Sequence, residues 1–307
     1  MCSRERAVVV VSGGDAVSPF TTPTLACRDG LAAGNTDTAL REALLAAGRP
    51  VYTAPAMNAR TPVQEPDPDS FGAFGGQPEV LPAHMTIISN GDIDNAGEHL
   101  ARFVQHLYAE YDVRAIDWVT HSNGGLFARS ATRILAEIGH PLHVASLTTL
   151  GTPWMGGNPN RIVYGELPES ICQGDVSALK MVEMLRIEAT TELGLGPQDT
   201  YRYLMGPTGW NQAQSGVLDD VPVFLVGGTG LSLDGGDPEF WPNDGLVSEY
   251  SALASDIGAD VLPIRRSTSY PVVHSIFVAN ALGLDWQQGM TWNTGVLADV
   301  EAFLASV

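Results

Sequence analysis

The sequence predicts an α/β fold, a mostly parallel sheet with helices on both of its faces. Three observations carry this. Arg6 to Ser12 reads RAVVVVS, a near-continuous β-branched run suited to a strand buried on both faces. From there to Leu150, strand patterns alternate with amphipathic helical patterns, the rhythm of parallel strands joined by right-handed crossovers. Within that stretch, Asp117 to Arg129 leaves an apolar strand, turns abruptly at His121-Ser122-Asn123 and enters a helix through Gly124-Gly125.

The elements follow in order. Gly13-Gly14 ends the first strand, and Phe20 to Gly34 reads as loop. Thr36 to Ala47 places Leu40, Ala43, Leu44 and Ala47 on one helical face, and Gly48 stops the helix. Pro50 to Ala54 is a short strand. Residues 58–82, rich in Pro, Gly and Asp, form a long surface loop, and such loops tend to be functional or mobile. His84 to Ser89 suggests a further strand. Asp94 to Tyr111 is an amphipathic helix through Leu100, Phe103, Val104, Leu107 and Tyr111. Arg114 to Thr120 is the strand that leads into the turn at Ser122, and Val144 to Leu150 is the next.

Residues 152–220 break the alternation and read as an insertion into a single domain. It is mostly loop, with one helix from Asp175 to about Leu193. Val176, Leu179, Val182, Leu185 and Ile187, with Met181, Met184 and Ala189, spread over more than one face, which suits either a buried helix or a mobile lid. Regular structure resumes with a strand from Val221 to Val226. A last strand is expected over Asp260 to Arg265, and a closing helix over Val296 to Leu304.

Composition bounds the function. Of 307 residues, 44% are hydrophobic and 17% charged, which supports a sizeable core. A net charge of −19 without any basic run argues against nucleic acid and anionic membranes as partners, and serves solubility or salt tolerance instead. Lys180 is the sole lysine, so Schiff-base chemistry is confined to that position. Cys2, Cys27 and Cys172 lack metal-ligand spacing; a Cys27–Cys172 disulfide and free thiols both fit the sequence. No stretch reaches the ~18 apolar residues of a membrane span. Met1 to Arg6 is short and polar, so the expectation is a cytoplasmic protein, or a secreted one if a leader peptide has been removed.

A serine hydroxyl is a poor nucleophile at neutral pH and needs a base that is itself oriented by a third group. Ser122 stands at the tight strand-to-helix turn, where small neighbours avoid collision; Gly124 supplies one and Thr120 occupies the other position. Of the seven histidines, only His274 lies after the strand expected at Asp260. His99 and His106 sit in the amphipathic helix, and His140 and His143 flank a helix-to-strand loop. His84 opens an earlier strand, and His121, adjacent to Ser122, points the wrong way for a base. Among the acids, Asp244 follows the 221–226 strand and precedes His274. Asp219 and Asp220 lie at that strand's wrong end, and Asp234 and Asp237 fall in a Gly-rich turn. A calcium site among these carboxylates is conceivable, but no spacing is specific to one.

Thr120-His121-Ser122-Asn123-Gly124-Gly125-Leu126 resembles the GHSMGGL-type nucleophile elbow of microbial lipases. Thr149-Leu150-Gly151-Thr152-Pro153 with Gly156-Gly157 is similar to their T-x-G-T-P-H-x-G segment. Asn243-Asp244-Gly245-Leu246-Val247-Ser248 is similar to the N-D-G-x-V stretch that carries the catalytic acid in bacterial true lipases. The resemblance implies the α/β-hydrolase fold from about residue 6 to 278, leaving 58–82 and 155–220 unmatched. It further implies an ester hydrolase with Ser122 as nucleophile, His274 as base and Asp244 as acid. Its oxyanion hole would use the backbone N–H groups of Asn123 and Gly14, with Asp15 in reserve, although Ser12-Gly13-Gly14 lacks the family's His-Gly-x. Phe20, Trp154, Met155, Phe240 and Trp241 are placed to line an acyl pocket. The substrate is then a small-molecule ester or lipid, with no cofactor and no metal. Thioesterase, amidase or acyltransferase chemistry on the same fold is an alternative, and a non-catalytic binding protein is disfavoured by the complete Ser-Asp-His set.

Overall fold

Alternate residues of the first strand feed two different cores. In β1 (Arg6–Val11), Val9 and Val11 join Phe103, Leu107, Leu126 and Leu135, whereas Val8 and Val10 join Leu40, Leu44, Val300 and Phe303. This is the pleat of a central strand, whose successive side chains face opposite sides. The computed structural model describes residues 5–14, 16, 18, 36–57, 81–190 and 196–307.

Within these, β1 is flanked by β2 (Val51–Thr53) on one side. A separate two-stranded parallel ribbon pairs β3 (Ala56–Met57) with β4 (Ile87–Ile88). The main sheet continues with β5 (Ala115–His121), β6 (His143–Leu150), β7 (Val223–Gly228) and β8 (Arg265–Tyr270). Its six strands run in the order β2-β1-β5-β6-β7-β8, every pair parallel. Asp117, a carboxylate in the middle of this sheet, is held by Arg6 Nη2 at 2.7 Å and by Ser146 Oγ at 2.6 Å, so its burial is compensated.

Helices cover both faces. α1 (Thr38–Ala46) lies on one side; α2 (Ile93–Glu110) and α3 (Gly124–Glu137) lie on the other. The Asp92 side chain accepts from the Asp94 and Asn95 N–H groups and so caps α2, whose inward stripe is Leu100, Phe103, Val104 and Leu107. After β6 come α4 (Asn158–Val163), α5 (Val176–Thr190) and α6 (Tyr201–Met205). α7 (Glu249–Ala252) follows β7, α8 (Ile276–Leu282) follows β8, and α9 (Thr294–Leu304) returns to the face of α1.

Three expectations need correction. The strand expected at Asp260 to Arg265 is displaced: residues 260–264 form turns that bury Val261 and Leu262, and pairing begins only at Arg265. Those apolar side chains enter the core from a turn, while β8, as an edge strand, tolerates the polar sequence RRSTSY. His84 to Ser89 divides into a 3₁₀ turn, Ala83–Met85, and the two-residue β4, outside the main sheet. Among its described residues the 152–220 stretch carries three α-helices, where the sequence predicts one. In α5, Ala178 and Val182 are buried with Phe240 and Trp241, and Met181 with Val273 and Val278. Residues 58–80 of the long loop lie outside the described residues. No described helix is long and apolar enough to cross a membrane.

Candidate active site

The predicted chemical residues all fall at the carboxyl ends of the parallel strands, where open α/β sheets bind their ligands. Gly13 and Gly14 follow β1, Ser122 follows β5 and Gly151 follows β6. Asp244 lies on the loop after β7, and His274 on the loop after β8.

Ser122 has φ of +55°, a left-handed conformation that costs a non-glycine residue on the order of 1–3 kcal/mol and persists only when its surroundings fix it. They do. Ser122 N donates to Leu150 O at 2.9 Å, and Ser122 O accepts from Gly125 N at 3.1 Å and from Thr152 Oγ1 at 2.7 Å. Neighbouring backbone closes in tightly: a Cβ on Gly124 would lie 2.3 Å from Val11 O, and one on Gly13 would lie 2.4 Å from Ser122 Cβ. Thr120 fits because its side chain faces across the sheet, where Oγ1 donates to Thr148 O at 2.9 Å. Ser122 itself is partly exposed.

His274 Nδ1 lies 2.7 Å from Asp244 Oδ2, and both side chains are buried. The second carboxylate oxygen, Oδ1, accepts from Leu246 N at 2.9 Å and Val247 N at 2.7 Å, an Asx-type turn that fixes the acid. The backbone repeats the pairing, with His274 N donating to Asp244 O at 2.7 Å. With a carboxylate accepting at Nδ1, that nitrogen carries a proton, and in the neutral ring Nε2 is then the acceptor. The rival acids stand apart: Asp219, Asp220, Asp234 and Asp237 are all exposed.

Shared neighbours bring the serine and the Asp–His pair together. Leu150 accepts from Ser122 N, and the next residue, Gly151, packs against the pair: a Cβ there would lie 3.0 Å from Asp244 Oδ2 and 3.1 Å from His274 Nδ1. His121, beside the serine, donates from Nε2 to His274 O at 2.9 Å. Among the described residues no hydrogen bond joins Ser122 Oγ to His274. A strained serine on a strand-to-helix turn at the top of a parallel sheet, with acid and histidine on later loops, decides the architecture. The chain has the α/β-hydrolase fold.

Comparisons with known proteins agree. Residues 84–181, which include Ser122 but neither Asp244 nor His274, match the family model described as "Putative serine esterase (DUF676)". Among solved structures, the chain is similar to the product of gene lin2722 from Listeria innocua, at 16% identity over 99% of this chain and 95% of that one, with a TM-score of 0.52. It is similar to the Staphylococcus hyicus lipase at 16% identity, over 99% of this chain and 96% of the other, with a TM-score of 0.50. An alpha/beta hydrolase fold protein from Chitinophaga pinensis matches at 12% identity over 100% and 91% of the two chains, with a TM-score of 0.48. No curated protein matches the sequence.

At the same end of the sheet, Gly14 and Asn123, the residues expected to form an oxyanion hole, lie side by side. A Cβ on Gly14 would lie 3.2 Å from Asn123 Nδ2, and Asn123 stands at the N-terminus of α3, where backbone N–H groups lack intrahelical partners. Asp15 lies outside the described residues. One step back, Ser12 Oγ donates to the buried Asp37, whose pKa burial pushes up to about 6.

Of the residues expected to line an acyl pocket, the four that are described are buried. Trp154 is fully buried beneath the Arg129 guanidinium, 4.1 Å from its ring centroid, and Met155 is buried beside Ser251. Phe240 and Trp241 pack edge to face in the cluster with Ile162, Cys172, Ala178 and Val182. Their aromatic area joins the insertion to the β7 loop. Phe20 lies outside the described residues. Cys172 is a buried free thiol, while Cys2 and Cys27 lie outside the described residues. Among the described residues no group of three or more His, Cys, Asp or Glu is arranged for a metal ion.

Two site neighbours escaped the sequence reading. Burial, followed by the charge of His274, depresses the His121 pKa to about 3, so this imidazole is neutral. Asp199 accepts from Gly157 N at 2.8 Å and Asn160 Nδ2 at 2.6 Å, yet burial raises its pKa to about 7; His274 and these hydrogen bonds oppose that rise. Nothing local marks Asp199, which follows a Gly- and Pro-containing stretch far from the motifs. His121 carried a signal in its place beside Ser122, but its partner is 153 residues away.

Proposed function

We propose that the protein hydrolyses carboxylic esters through Ser122, His274 and Asp244. The observation that carries this reading is the buried 2.7 Å pair of His274 Nδ1 and Asp244 Oδ2, packed against the residues that hold the strained Ser122 elbow. The match of residues 84–181 to a serine esterase family supports the same chemistry.

In this mechanism Ser122 Oγ attacks the ester carbonyl while His274 Nε2 takes its proton. Substrate binding draws hydroxyl and imidazole into hydrogen-bond contact, as is common where the unliganded geometry is loose. Asp244 keeps the proton on Nδ1 and stabilises the imidazolium. Backbone N–H groups of Gly14 and Asn123 receive the developing oxyanion. His274 then gives its proton to the leaving alcohol, and water, deprotonated by the same nitrogen, releases the acid from the acyl-enzyme.

A fluorophosphonate probe tests the reading. Wild type is expected to label and Ser122→Ala not to. An unlabelled wild type, or equal labelling of both, refutes the assignment. p-Nitrophenyl esters from acetate to palmitate then rank acyl length by kcat/KM.

A further inference from the structure

We infer that His121 is a positioning residue that ties the base-bearing loop to the nucleophile strand by holding the His274 main chain. The inference rests on the ester-hydrolase reading for its kinetic consequence, but the contact itself is geometric. His274 has three tethers. Its amide and its Nδ1 both go to Asp244, so these two fix the base relative to the acid. Its carbonyl accepts from His121 Nε2 at 2.9 Å, and this bond fixes the base relative to β5, whose end delivers Ser122. The two imidazoles also stack obliquely, with centroids 4.6 Å apart and planes at 45°.

The chemistry of the contact defines the state of His121. A carbonyl oxygen only accepts, so Nε2 carries the hydrogen. A ring buried beside a base that becomes cationic during turnover must remain neutral, and the depressed pKa of His121 meets that need. Other titratable groups in the field are His274 itself, Asp244, and Asp199, which senses the His274 charge. The need for an amide-like donor at that point, not for a titrating ring, separates positioning from proton transfer.

The test compares His121→Phe, which keeps a ring and removes the donor, with His121→Gln, whose amide nitrogen reaches the place of Nε2. Folding is checked by circular dichroism. Two readouts are taken: kcat and KM on a p-nitrophenyl ester, and the downfield proton resonance of the His274–Asp244 hydrogen bond. In His121→Phe, kcat is expected to fall about 10-fold with KM within about 2-fold, the scale of one lost hydrogen bond. The resonance should broaden or move upfield. In His121→Gln, kcat, its pH profile and the resonance are expected to stay close to wild type. If His121→Phe does not fold, His121→Asn, whose shorter amide falls short of the carbonyl, replaces it with the same expectation. Wild-type kcat and an unmoved resonance in the donor-less variant overturn the inference. So does a His121→Gln variant as impaired as that variant. If wild type hydrolyses no ester while the resonance responds as stated, the ester-hydrolase reading falls and the positioning contact stands.

Discussion

The most discriminating perturbation is Gly151→Ala, because it presses a single methyl group onto the Asp244–His274 pair. Gly151 has φ of +59°, and its Cβ would lie 3.0 Å from Asp244 Oδ2, 3.1 Å from His274 Nδ1 and 3.2 Å from His274 Cε1. Two costs follow. The left-handed backbone costs an alanine about 1–2 kcal/mol, which should lower the melting temperature by a few degrees. The contact forces the imidazole or carboxylate aside by a few tenths of an ångström. Misplacement by about 1 Å can cost about 100-fold in rate, so a shift of this size should lower kcat about 5- to 10-fold. Gly139→Ala separates the two costs. Gly139 has φ of +63° with nothing within 4 Å of its Cβ position, so it carries the backbone cost without the contact. Steady-state hydrolysis and calorimetry on both variants give the answer. Equal loss of stability with loss of kcat only in Gly151→Ala is the expected pattern. If Gly151→Ala turns over as fast as Gly139→Ala, either the pair tolerates displacement or it does not limit the rate, and the reasoning fails.

Two further outcomes follow from the same geometry. Asp244→Asn keeps the shape of the acid and removes the charge that selects the His274 tautomer, so kcat is expected to fall about 10⁴-fold; Asp237→Asn, on an exposed turn, should leave kcat unchanged. Loss in Asp237→Asn with retention in Asp244→Asn would reverse the acid assignment. Asp199, raised from 3.8 to about 7, holds a proton in the folded state that the unfolded chain has released, so its contribution falls as pH rises through that window. The slope approaches about 1.4 kcal/mol per pH unit at most. Asp199→Asn should therefore flatten the fall in urea-unfolding stability between about pH 4 and 7, with a residual slope of the same sign below pH 6 from Asp37. Parallel pH profiles for wild type and variant would show that Asp199 is ionised in the folded state.

Legibility in the sequence followed the range of the cause. The Ser122 elbow could be read because backbone sterics act within a few residues: a buried strand before it, Gly124 after it, and a hydrophobic helical face beyond. The pairing of Asp244 with His274 is legible from chain order combined with elimination, since exposed turn carboxylates and helix-borne histidines have plainer explanations. The start of the last strand is illegible because local hydrophobicity cannot distinguish Val261 and Leu262 entering the core from a turn from the same residues in a strand. β8, meanwhile, is polar enough to look like loop. The burial of Phe240 and Trp241 is illegible for a related reason. An aromatic on a loop near the site looks like a pocket wall until the insertion that buries it, through Ala178 and Val182, is in place.

The same distinction bears on how the site works. Ser122 is held in its strained conformation by close packing and by hydrogen bonds to Leu150, Gly125 and Thr152, whereas His274 is held by three hydrogen bonds to residues 30 and 153 positions away in sequence. The elbow is braced by close packing at several points besides its hydrogen bonds. His274 depends more on its bonds, because losing one leaves a buried partner unsatisfied. Substitutions around His274, at Gly151, His121 or Asp244, should therefore cost kcat out of proportion to stability, while substitutions that crowd the elbow, such as Gly124→Ala against Val11 O, should cost stability first.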